Sequence, residues 1–330
     1  MKKALVTGGC GFIGSHLVER LLEEGHSVVV LDNFSTGRRE NLSHLRNSKN
    51  LSIHEIDLCD FQAISPFFSK VDWVFHLAAL ADIVLSIDKP IDYYRANVTG
   101  TISVLEACRQ ASIKRFIYAA SSSCYGIAKD FPTSESAAVH SEYPYALTKY
   151  LGEQCTLHWG QVYKLPVVSL RLFNVYGPRG RTSGTYGAVF GVFLAQKIHG
   201  KPFTIVGDGT QSRDFIFVSD VVNAFLKAAD SDVRNRVFNV GSGCPTSVNR
   251  IAELLGASEI AYIPKRPGEP QITHADIRRI SAELSWFPEV TIEDGVEAML
   301  NHLDDFKNSP VWTPVTIEDA TKNWFAYLQT

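Results

Sequence analysis

Residues 3–14 read KALVTGGCGFIG, and this stretch decides the fold. The apolar run Lys3–Thr7 is typical of a buried strand, and Gly8, Gly11 and Gly14 follow at the turn into an amphipathic segment, Gly14–Glu24. Glycines at such a turn let the backbone approach a pyrophosphate closely, and free N–H groups at the helix start bind the phosphates. A glycine triplet alone is weak evidence. A triplet placed between a strand and a helix predicts a dinucleotide-binding turn.

An acidic residue after the second predicted strand bears on the choice of dinucleotide. Asp32 ends the apolar run Ser27–Asp32, 18 residues after Gly14. A carboxylate at this place accepts hydrogen bonds from the adenosine ribose hydroxyls and would repel a 2′-phosphate. We therefore predict NAD as the cofactor, with NADP as the alternative because Arg38 and Arg39 lie nearby.

The same alternation of strand and helix continues along the chain. Further strands are predicted at Leu51–Ile56, Trp73–His76, Arg115–Ala120 and Val167–Leu172. Further helices are predicted at Phe61–Phe68, Ile91–Ala111 and Tyr145–Val162. Strands and helices in this order predict an α/β fold, a doubly wound parallel sheet of the Rossmann type with helices on both faces.

Beyond residue 172 the pattern loosens into loops that contain glycine and proline. The segments Phe215–Val218, Ser219–Ala229 and Val237–Val240 read as a strand, a helix and a strand that could rejoin the sheet. We therefore expect a dinucleotide-binding domain made of residues 1–172 plus about 214–240. Residues 173–213 plus about 241–330 are expected to form a smaller C-terminal α/β lobe that binds the substrate.

The composition describes an ordinary globular protein and excludes several functions. Of the 330 residues, 45% are hydrophobic and 20% are charged, and the net charge of −3 gives no basic surface for nucleic acid. No stretch approaches the roughly 18 apolar residues of a membrane span, and the apolar run near residue 4 is too short for a signal peptide. The six cysteines have no CxxC pairing, which favours reduced thiols in a cytoplasmic protein and no metal site.

Nine short motifs, spread in order over most of the chain, carry a family resemblance. They are TGGCGFIG (7–14), DNFSTG (32–37), HLAA (76–79), NVTGT (97–101), SSSCYG (121–126), YPYALTK (143–149), RLFNVYGP (171–178), SRDF (212–215) and RPGE (266–269). With them the chain resembles an extended short-chain dehydrogenase/reductase of the nucleotide-sugar epimerase and dehydratase family. It is most similar to the 4-epimerases of UDP-glucose and UDP-N-acetylglucosamine. In that family the reaction occurs in a cleft between an NAD-binding lobe and a nucleotide-sugar-binding lobe.

The resemblance implies a set of cofactor-binding residues. Asp57, after the third strand, is expected to reach the adenine, although it could instead cap the helix at Phe61. The expected NAD contacts are Gly8, Gly11, Phe12, Ile13, Gly14, Asp32, Asn33, Ser35, Thr36, Gly37, Asp57, Leu58, Leu77, Ala78, Ala79, Asn97, Tyr145 and Lys149.

Tyr-x-x-x-Lys, a pattern that can build a general base, occurs twice. Tyr125 and Lys129 lie in a segment with Gly126 and Pro132, so nothing places them on a common face. Tyr145 and Lys149 fall in the first turns of a predicted helix, where residues i and i+4 are neighbours. Holding a phenolate at neutral pH costs roughly 4 kcal/mol, and a nearby ammonium offsets much of that cost. We therefore predict Tyr145 as the catalytic base with Lys149 beside it, and Tyr125 as a packing residue.

A serine supplies the expected partner of this base. Ser121 follows the strand Arg115–Ala120 and matches the family's catalytic hydroxyl, which can both donate to and accept from a sugar oxygen. The alternative is that the serines only satisfy backbone groups at the strand end, an interpretation that suits Ser122 and Ser123 better. The resemblance implies that Tyr145 takes a proton from the C4 hydroxyl while hydride passes to NAD. A 4-keto sugar is the result.

Two reactions can follow from the 4-keto sugar, and the sequence favours one of them. Returning the hydride to the other face gives a 4-epimerase, whereas loss of water from C6 gives a 4,6-dehydratase, which needs an acid and a base. Dehydratases of the family usually carry Asp and Glu where this chain has Ser122 and Ser123. Epimerisation, of an N-acetylhexosamine in particular, is therefore expected. Asp82 departs from the epimerase pattern, and it could orient a hydroxyl, supply an acid or have no role.

The resemblance also implies contacts to the nucleotide sugar. Arg213 and Arg266 are candidates for the diphosphate, which suits a guanidinium fork. Thr273 stands where a small side chain goes with N-acetyl sugars. The full set of expected substrate contacts is Asp82, Ser86, Ser121, Ser122, Ser123, Asn174, Gly187, Ala188, Val189, Arg213, Arg266 and Thr273. Each residue of the second lobe could instead serve turn chemistry alone.

Two other classes of protein compete with this interpretation. A non-catalytic dinucleotide-binding sensor on the same fold needs the glycine turn but has no use for Ser121, Tyr145 and Lys149 together. A simple dehydrogenase would release NADH, whereas the diphosphate contacts favour internal return of hydride and a tightly bound cofactor that is regenerated in each turnover. A homodimer is expected from the resemblance, with Ile91–Ala111 and Tyr145–Val162 at the contact.

Overall fold

A computed structural model of the chain describes residues 1–180 and 188–328, and its main element is one parallel sheet. The strands are β1 Lys3–Thr7, β2 Ser27–Asp32, β3 Leu51–Glu55, β4 Trp73–His76, β5 Arg115–Ser121, β6 Val167–Leu172, β7 Asn174–Tyr176, β8 Phe203–Val206, β9 Ser212–Arg213, β10 Phe215–Phe217, β11 Arg236–Val240, β12 Thr246–Ser247 and β13 Ile260–Ile263. Seven of them pair in the order β3-β2-β1-β4-β5-β6-β11, all parallel. The predicted doubly wound Rossmann-type sheet is confirmed.

Helices cover both faces of this sheet. They are α1 Phe12–Glu23, α2 Phe61–Ile64, α3 Ile83–Asp88, α4 Pro90–Tyr94, α5 Gly100–Ala111, α6 Pro144–Tyr163, α7 Val189–Ile198, α8 Val218–Asp230, α9 Val248–Leu254, α10 Arg278–Leu284, α11 Ile292–Asn301 and α12 Pro314–Leu328. The helix predicted over Ile91–Ala111 is interrupted by a π-helical segment, Arg95–Thr99, between α4 and α5. The helix predicted over Phe61–Phe68 ends as a 3₁₀ turn, Ser65–Phe68, where Pro66 removes a backbone donor.

Two apolar layers hold the helices to the sheet. On one face, Leu17 and Leu21 of α1 and Phe225 of α8 are fully buried in a single cluster with strand residues. On the other face, Val104 and Leu105 of α5 are fully buried in a second cluster. Burying each side chain of this size contributes about 1.5–3 kcal/mol, so the sheet carries a large part of the stability.

The strand order reverses between β1 and β4, because β1 is followed in sequence by β2 on one side and later by β4 on the other. In open parallel sheets, ligands bind at the carboxyl ends of the strands at such a switch point. Thr7, Asp32, His76 and Ser121 end four of the strands on this edge. The topology therefore brings residues from distant parts of the sequence to one place.

One element predicted to rejoin the main sheet does not do so. Phe215–Phe217, predicted as part of a sheet strand, pairs instead with Asn174–Tyr176 in a separate two-stranded sheet. The chain leaves β6 at Phe173 and continues at once into β7, so the partner edge for β10 lies outside the main sheet. The other two predictions in this region are confirmed, since α8 packs on the sheet and β11 pairs with β6.

Residues beyond 172 also build a hydrophobic core of their own. Phe193, Phe203, Ile251 and Ile317, from α7, β8, α9 and α12, are buried in one cluster. The sequence reads irregularly here, but the segment 278–328 contains three helices. No helix in the described part of the chain is long and apolar enough to cross a membrane. The domain boundaries stay a prediction.

Candidate active site

A cleft of about 680 Å³ opens at the carboxyl ends of the strands and runs to the loop at residues 266–270. Most residues predicted to bind cofactor or substrate line it. They are Gly8, Gly11, Phe12, Ile13, Gly14, Asp32, Asn33, Ser35, Thr36, Gly37, Asp57, Leu58, Leu77, Ala78, Ala79, Asp82, Ser121, Ser122, Ser123, Tyr145, Lys149, Asn174, Ala188, Val189, Arg213, Arg266 and Thr273. Gly187 lies outside the described residues.

The glycine turn forms a backbone cradle at one end of the cleft. Gly8 has a φ of +67°, and a Cβ placed on it would lie 2.8 Å from the backbone N and Cα of Ala78. A Cβ on Gly14 would collide with the carbonyl oxygen of Gly8. The first N–H groups of α1 have no partner within the helix and are free to bind an anion. The turn therefore fits the pyrophosphate of a dinucleotide, because its glycines let the phosphates come close to the backbone N–H groups.

Asp32 stands beside the cradle and is held by it. Its two carboxylate oxygens accept the backbone N–H groups of Cys10 and Phe34, each at 2.9 Å. Burial raises the pKa of Asp32, and the two backbone hydrogen bonds lower it. Arg39, a residue that favoured NADP, forms an ion pair with Glu55 outside the cleft. The fixed carboxylate fits the ribose hydroxyls of NAD.

The structure removes the alternative role of Asp57 and corrects the prediction for Asn97. Asp57 lines the cleft but does not cap the helix at Phe61, because Asp60 accepts the Ala63 N–H there. Asn97 does not line the cleft. It is 1% exposed, and its amide bonds both the N–H and the carbonyl of Leu80, at 2.8 and 3.0 Å. Its partners identify Asn97 as a residue that shapes the wall rather than one that contacts a ligand.

A group of hydroxyls meets at the middle of the cleft. The Oγ atoms of Ser121 and Ser123 lie 2.5 Å apart, and Ser121 also accepts the Ser123 N–H. Burial raises the pKa of Tyr145, while hydrogen bonds to Ser121 and Ser123 lower it. Ser123 was predicted as a substrate contact, with a purely backbone-bonding role as the alternative, and the 3₁₀ turn that follows β5 directs its hydroxyl back to Ser121 and Tyr145.

Lys149 lies one turn along α6 from Tyr145 and is 5% exposed. Its ammonium is 4.5 Å from the centre of the Tyr118 ring. Burial lowers the pKa of Lys149 from 10.5 to about 7, and the negative charge of Glu153 opposes this shift. Because the buried ammonium of Lys149 is poorly solvated, its positive charge interacts strongly with a phenolate beside it.

The other Tyr-x-x-x-Lys pair is separated by the fold, as predicted. Tyr125 is 3% exposed; its hydroxyl donates to Asn239 at 2.7 Å and accepts from Arg171 at 2.8 Å. Lys129 is exposed. The predicted packing role of Tyr125 is confirmed by these contacts.

The two predicted contacts near α3 have local structural partners. Asp82 is the N-cap of α3, and its Oδ1 accepts the Leu85 N–H at 3.1 Å while its side chain lines the cleft. Ser86 is fully buried and donates to the Ile83 carbonyl at 2.6 Å. Ser86 does not line the cleft, because the first turn of α3 directs it inward.

At the far end of the cleft two arginines share one carboxylate. Arg213 Nη2 lies 3.1 Å from Glu269 Oε1, and Arg266 Nε lies 3.0 Å from Glu269 Oε2. Thr273 Oγ1 donates to Asn174 Oδ1 at 3.0 Å in the same wall. The motif RPGE contains Glu269, but no sequence pattern places its carboxylate between the two arginines.

Two aromatic residues in the cleft were also missed. Tyr143 stacks on Tyr145, with ring planes 6° apart and centroids 6.5 Å apart. Trp324 of α12 follows, 6.1 Å from the Tyr143 ring. Tyr143 lies within the quoted motif YPYALTK, whereas no sequence signal connected Trp324 to Tyr145, more than 170 residues earlier in the chain. Among residues 1–180 and 188–328, no three His, Cys, Asp or Glu side chains meet to hold a metal ion.

Comparisons with known proteins agree with this site. The profile of the NAD dependent epimerase/dehydratase family matches residues 4–241. The chain is 37% identical over 301 residues to the UDP-glucose 4-epimerase of Mycolicibacterium smegmatis, a match that covers 89% of this chain and 96% of that protein.

Solved structures resemble the whole architecture. A UDP-N-acetylglucosamine 4-epimerase from Methanobrevibacter ruminantium superposes with a TM-score of 0.85 at 34% identity, covering 91% of this chain and 98% of that one. DesIV, a dTDP-glucose 4,6-dehydratase from Streptomyces venezuelae solved with NAD bound, gives a TM-score of 0.84 at 25% identity, covering 92% and 97%. The relatives therefore include both of the reactions that follow from a 4-keto sugar.

Proposed function

The chain belongs to the NAD-dependent epimerase/dehydratase family, with NAD as its cofactor, and we propose that it is a nucleoside-diphosphate-hexose 4-epimerase. The observation that carries the proposal is the group formed by Ser121, Ser123 and Tyr145, which provides hydroxyls and a phenol but no carboxylate. Proton transfer at C4 needs only such groups, whereas loss of water from C6 needs an acid and a base in addition.

The carboxylates that line the described cleft have other partners. Asp32 accepts backbone bonds at the cradle, Asp57 pairs with Arg95 at 3.0 Å, and Glu269 pairs with two arginines. Asp82 caps α3. Asp82 also lines the cleft, and a dehydratase that used it as the acid at C6 is the second candidate function.

In the proposed reaction, each step is carried out by a side chain of the cleft. Tyr145, as phenolate, takes the proton of the sugar C4 hydroxyl, and Ser121 holds that hydroxyl in place. Lys149 stabilises the phenolate with its charge. NAD held by the glycine turn and Asp32 would supply the acceptor and donor of the C4 hydride. Turning the 4-keto sugar over between the two transfers inverts C4, while Arg213 and Arg266 retain the diphosphate.

An N-acetylhexosamine is the proposed sugar. Thr273 is small, and its hydroxyl is already bonded to Asn174 and to the Asp214 N–H, so it leaves room beside the sugar. We expect Thr273→Tyr to lower kcat/KM for UDP-N-acetylglucosamine about tenfold or more and to change UDP-glucose by less than threefold. An equal loss on both substrates would contradict the role of Thr273 in sugar choice.

One experiment separates the candidate functions. The purified enzyme is incubated with UDP-, GDP- and dTDP-hexoses, each with and without an N-acetyl group, and the products are read by proton NMR. A 4-epimerase gives an equilibrium mixture of two epimers without net NADH absorbance. A C6 methyl doublet would identify a dehydratase, and a panel left unchanged would favour a non-catalytic binder. Tyr145→Phe is the inactive control.

A homodimer completes the proposal. Ile91, Ile102 and Val162, on the α4, α5 and α6 surface, are 81%, 37% and 49% exposed, and such side chains favour a protein contact. We expect the wild type to elute as a dimer in light-scattering chromatography and Ile102→Arg to shift it towards monomer. Ile127→Arg, at an exposed position on another surface, is the matched control.

A further inference from the structure

The C-terminal helix α12 reaches both sides of the cleft. Ile317 is buried in the core of the substrate lobe, and Thr321, 1% exposed, continues the same helix face. On the other side, Asn323 donates to Asp88, the last residue of α3, at 2.8 Å. Ile317, Thr321, Trp324 and Leu328 recur at the spacing of one helix face, so this face is directed inward.

Trp324 is the residue that this face brings to the cleft. It lines the cavity and is 3% exposed, and its indole N–H donates to the Pro267 carbonyl at 2.7 Å. The Arg266 guanidinium lies 5.2 Å from the ring centre. The indole is therefore fixed on two sides, and only a small part of its ring borders the cavity.

The position of this ring relates it to the reaction. Tyr143 separates Trp324 from Tyr145, with ring centroids at 6.1 and 6.5 Å. On its other side is Arg266, assigned to the diphosphate under the proposed function. A sugar that joins the diphosphate to a C4 hydroxyl at Tyr145 has to lie along this wall. Aromatic side chains bind the C–H faces of apolar and amphipathic groups by contact area.

We propose that Trp324 is the aromatic wall of the hexose subsite, a residue that binds and positions the sugar ring and not the nucleotide. This role rests on the proposed function, because it assumes a nucleoside-diphosphate hexose in the cleft. The C-terminal helix then belongs to the substrate site, although it is more than 170 residues from the catalytic tyrosine in sequence.

Two substitutions of similar volume isolate the contribution of the ring. Trp324→Phe and Trp324→Met both remove the hydrogen bond to Pro267, but only the first keeps an aromatic face. Affinities are measured by calorimetry in a Tyr145→Phe background with NAD, for UDP and for UDP-N-acetylglucosamine. If the wild type converts another nucleotide sugar in the panel, that sugar and its free diphosphate replace the pair. Tyr327→Met, on the same helix and 72% exposed, is the control.

The expected result is specific to the sugar. Trp324→Met weakens the nucleotide sugar at least tenfold and leaves the free diphosphate within twofold, whereas Trp324→Phe stays within threefold for both. Equal affinities of the two variants for the sugar, or an equal loss of sugar and diphosphate, would overturn the role of Trp324 alone. A wild type that neither converts nor binds any sugar of the panel removes the proposed function, and this inference with it.

Discussion

Two tyrosines near the same sheet edge each have a cation nearby, and the proposed function gives only one of them, Tyr145, a proton to transfer. Tyr125 contacts Arg171, whose guanidinium forms a forked ion pair with Glu153 at 2.6 and 3.0 Å. Tyr145 faces the cleft, bonds two serines, and has Lys149 one helical turn away. Burial raises the pKa of both phenols.

The difference lies in what the cation does. Arg171 is neutralised by a carboxylate and locks Tyr125 into a buried network. Among the described residues, no Asp or Glu forms an ion pair with Lys149. Burial makes the positive charge of Lys149 unfavourable. Under the proposed function, a tyrosine acts as a base where the neighbouring cation lacks a carboxylate partner and where a ligand can reach the hydroxyl.

The largest expected effect comes from removing each hydroxyl. Tyr145→Phe should lower kcat by about 10³-fold or more, since general base catalysis contributes roughly 10²–10⁴ and no other group replaces it. Tyr125→Phe should leave kcat within about threefold and cost about 1–3 kcal/mol of unfolding free energy, because Asn239 loses its partner. Steady-state kinetics and urea unfolding measure both, and similar kinetic losses for the two variants would break the comparison.

Replacing the two cations should change the free energy of unfolding in opposite directions. Lys149→Met is expected to lower kcat/KM about 10²-fold and to stabilise the fold, because the pKa of Lys149 is lowered from 10.5 to about 7. The folded state binds this proton less tightly than the unfolded state, so the cost of the charge is full below pH 7 and vanishes as the pH rises towards 10.5. The full difference corresponds to at most about 5 kcal/mol.

Urea unfolding of Lys149→Met and wild type from pH 6 to pH 10 follows this difference. The gain in stability should be largest at pH 6 and shrink as the pH rises. Arg171→Met should instead lose about 3–5 kcal/mol, because it leaves Glu153 buried without its partner. A Lys149→Met variant less stable than the wild type at pH 6 would show that the lysine has a structural ion pair after all.

The hydroxyl partner of each tyrosine sharpens the contrast further. Ser121→Ala should lower kcat about 10²-fold with little change in stability, since its hydroxyl serves the sugar oxygen. Asn239→Ala should keep kcat within threefold and lose stability, because its amide bonds Tyr125 and the Thr133 carbonyl inside the protein. A larger loss of kcat in Asn239→Ala than in Ser121→Ala would reverse the roles given to the two tyrosine sites.

The smallest effect is expected at Ser123. Its hydroxyl contacts Ser121 and contributes to the pKa of Tyr145, so Ser123→Ala should lower kcat only about tenfold. The acid limb of the pH profile of kcat should move to higher pH, because a hydrogen bond that lowers the pKa of the Tyr145 phenol is lost. A profile that does not move would limit Ser123 to a structural role in the turn after β5.

Local patterns in the sequence account for the cofactor half of the site. The glycine turn, Asp32 and the pair Tyr145–Lys149 each depend on residues within about 30 positions, and periodicity places them on strands and helices. The family assignment, the Rossmann-type sheet and NAD as cofactor are confirmed. The pairing of Phe215–Phe217 with Asn174–Tyr176 was missed, because the position of the partner strand depends on where the chain leaves the main sheet at Phe173.

Long-range contacts explain what the sequence could not supply. Glu269 forms ion pairs with both Arg213 and Arg266, although its loop is far in sequence from the motif SRDF. Trp324 reaches the cleft because α12 packs on the hydrophobic core formed by residues beyond 172. Asn97, from the motif NVTGT, and Ser86 were predicted as ligand contacts, but their side chains are bonded to nearby backbone. Spacing alone does not tell a wall residue from a contact residue.

The packing of α12 has a practical consequence for producing the protein. Leu328, the last described residue, lies against Gly268, next to the loop that carries Arg266. A bulky group attached close to Leu328 would therefore lie beside the loop that lines the cleft and would compete with a ligand for that space. Met1 is 92% exposed and precedes β1 at the opposite edge of the sheet, about 16 Å along the strand. Purification tags therefore belong at the N-terminus if nucleotide-sugar binding is to be measured.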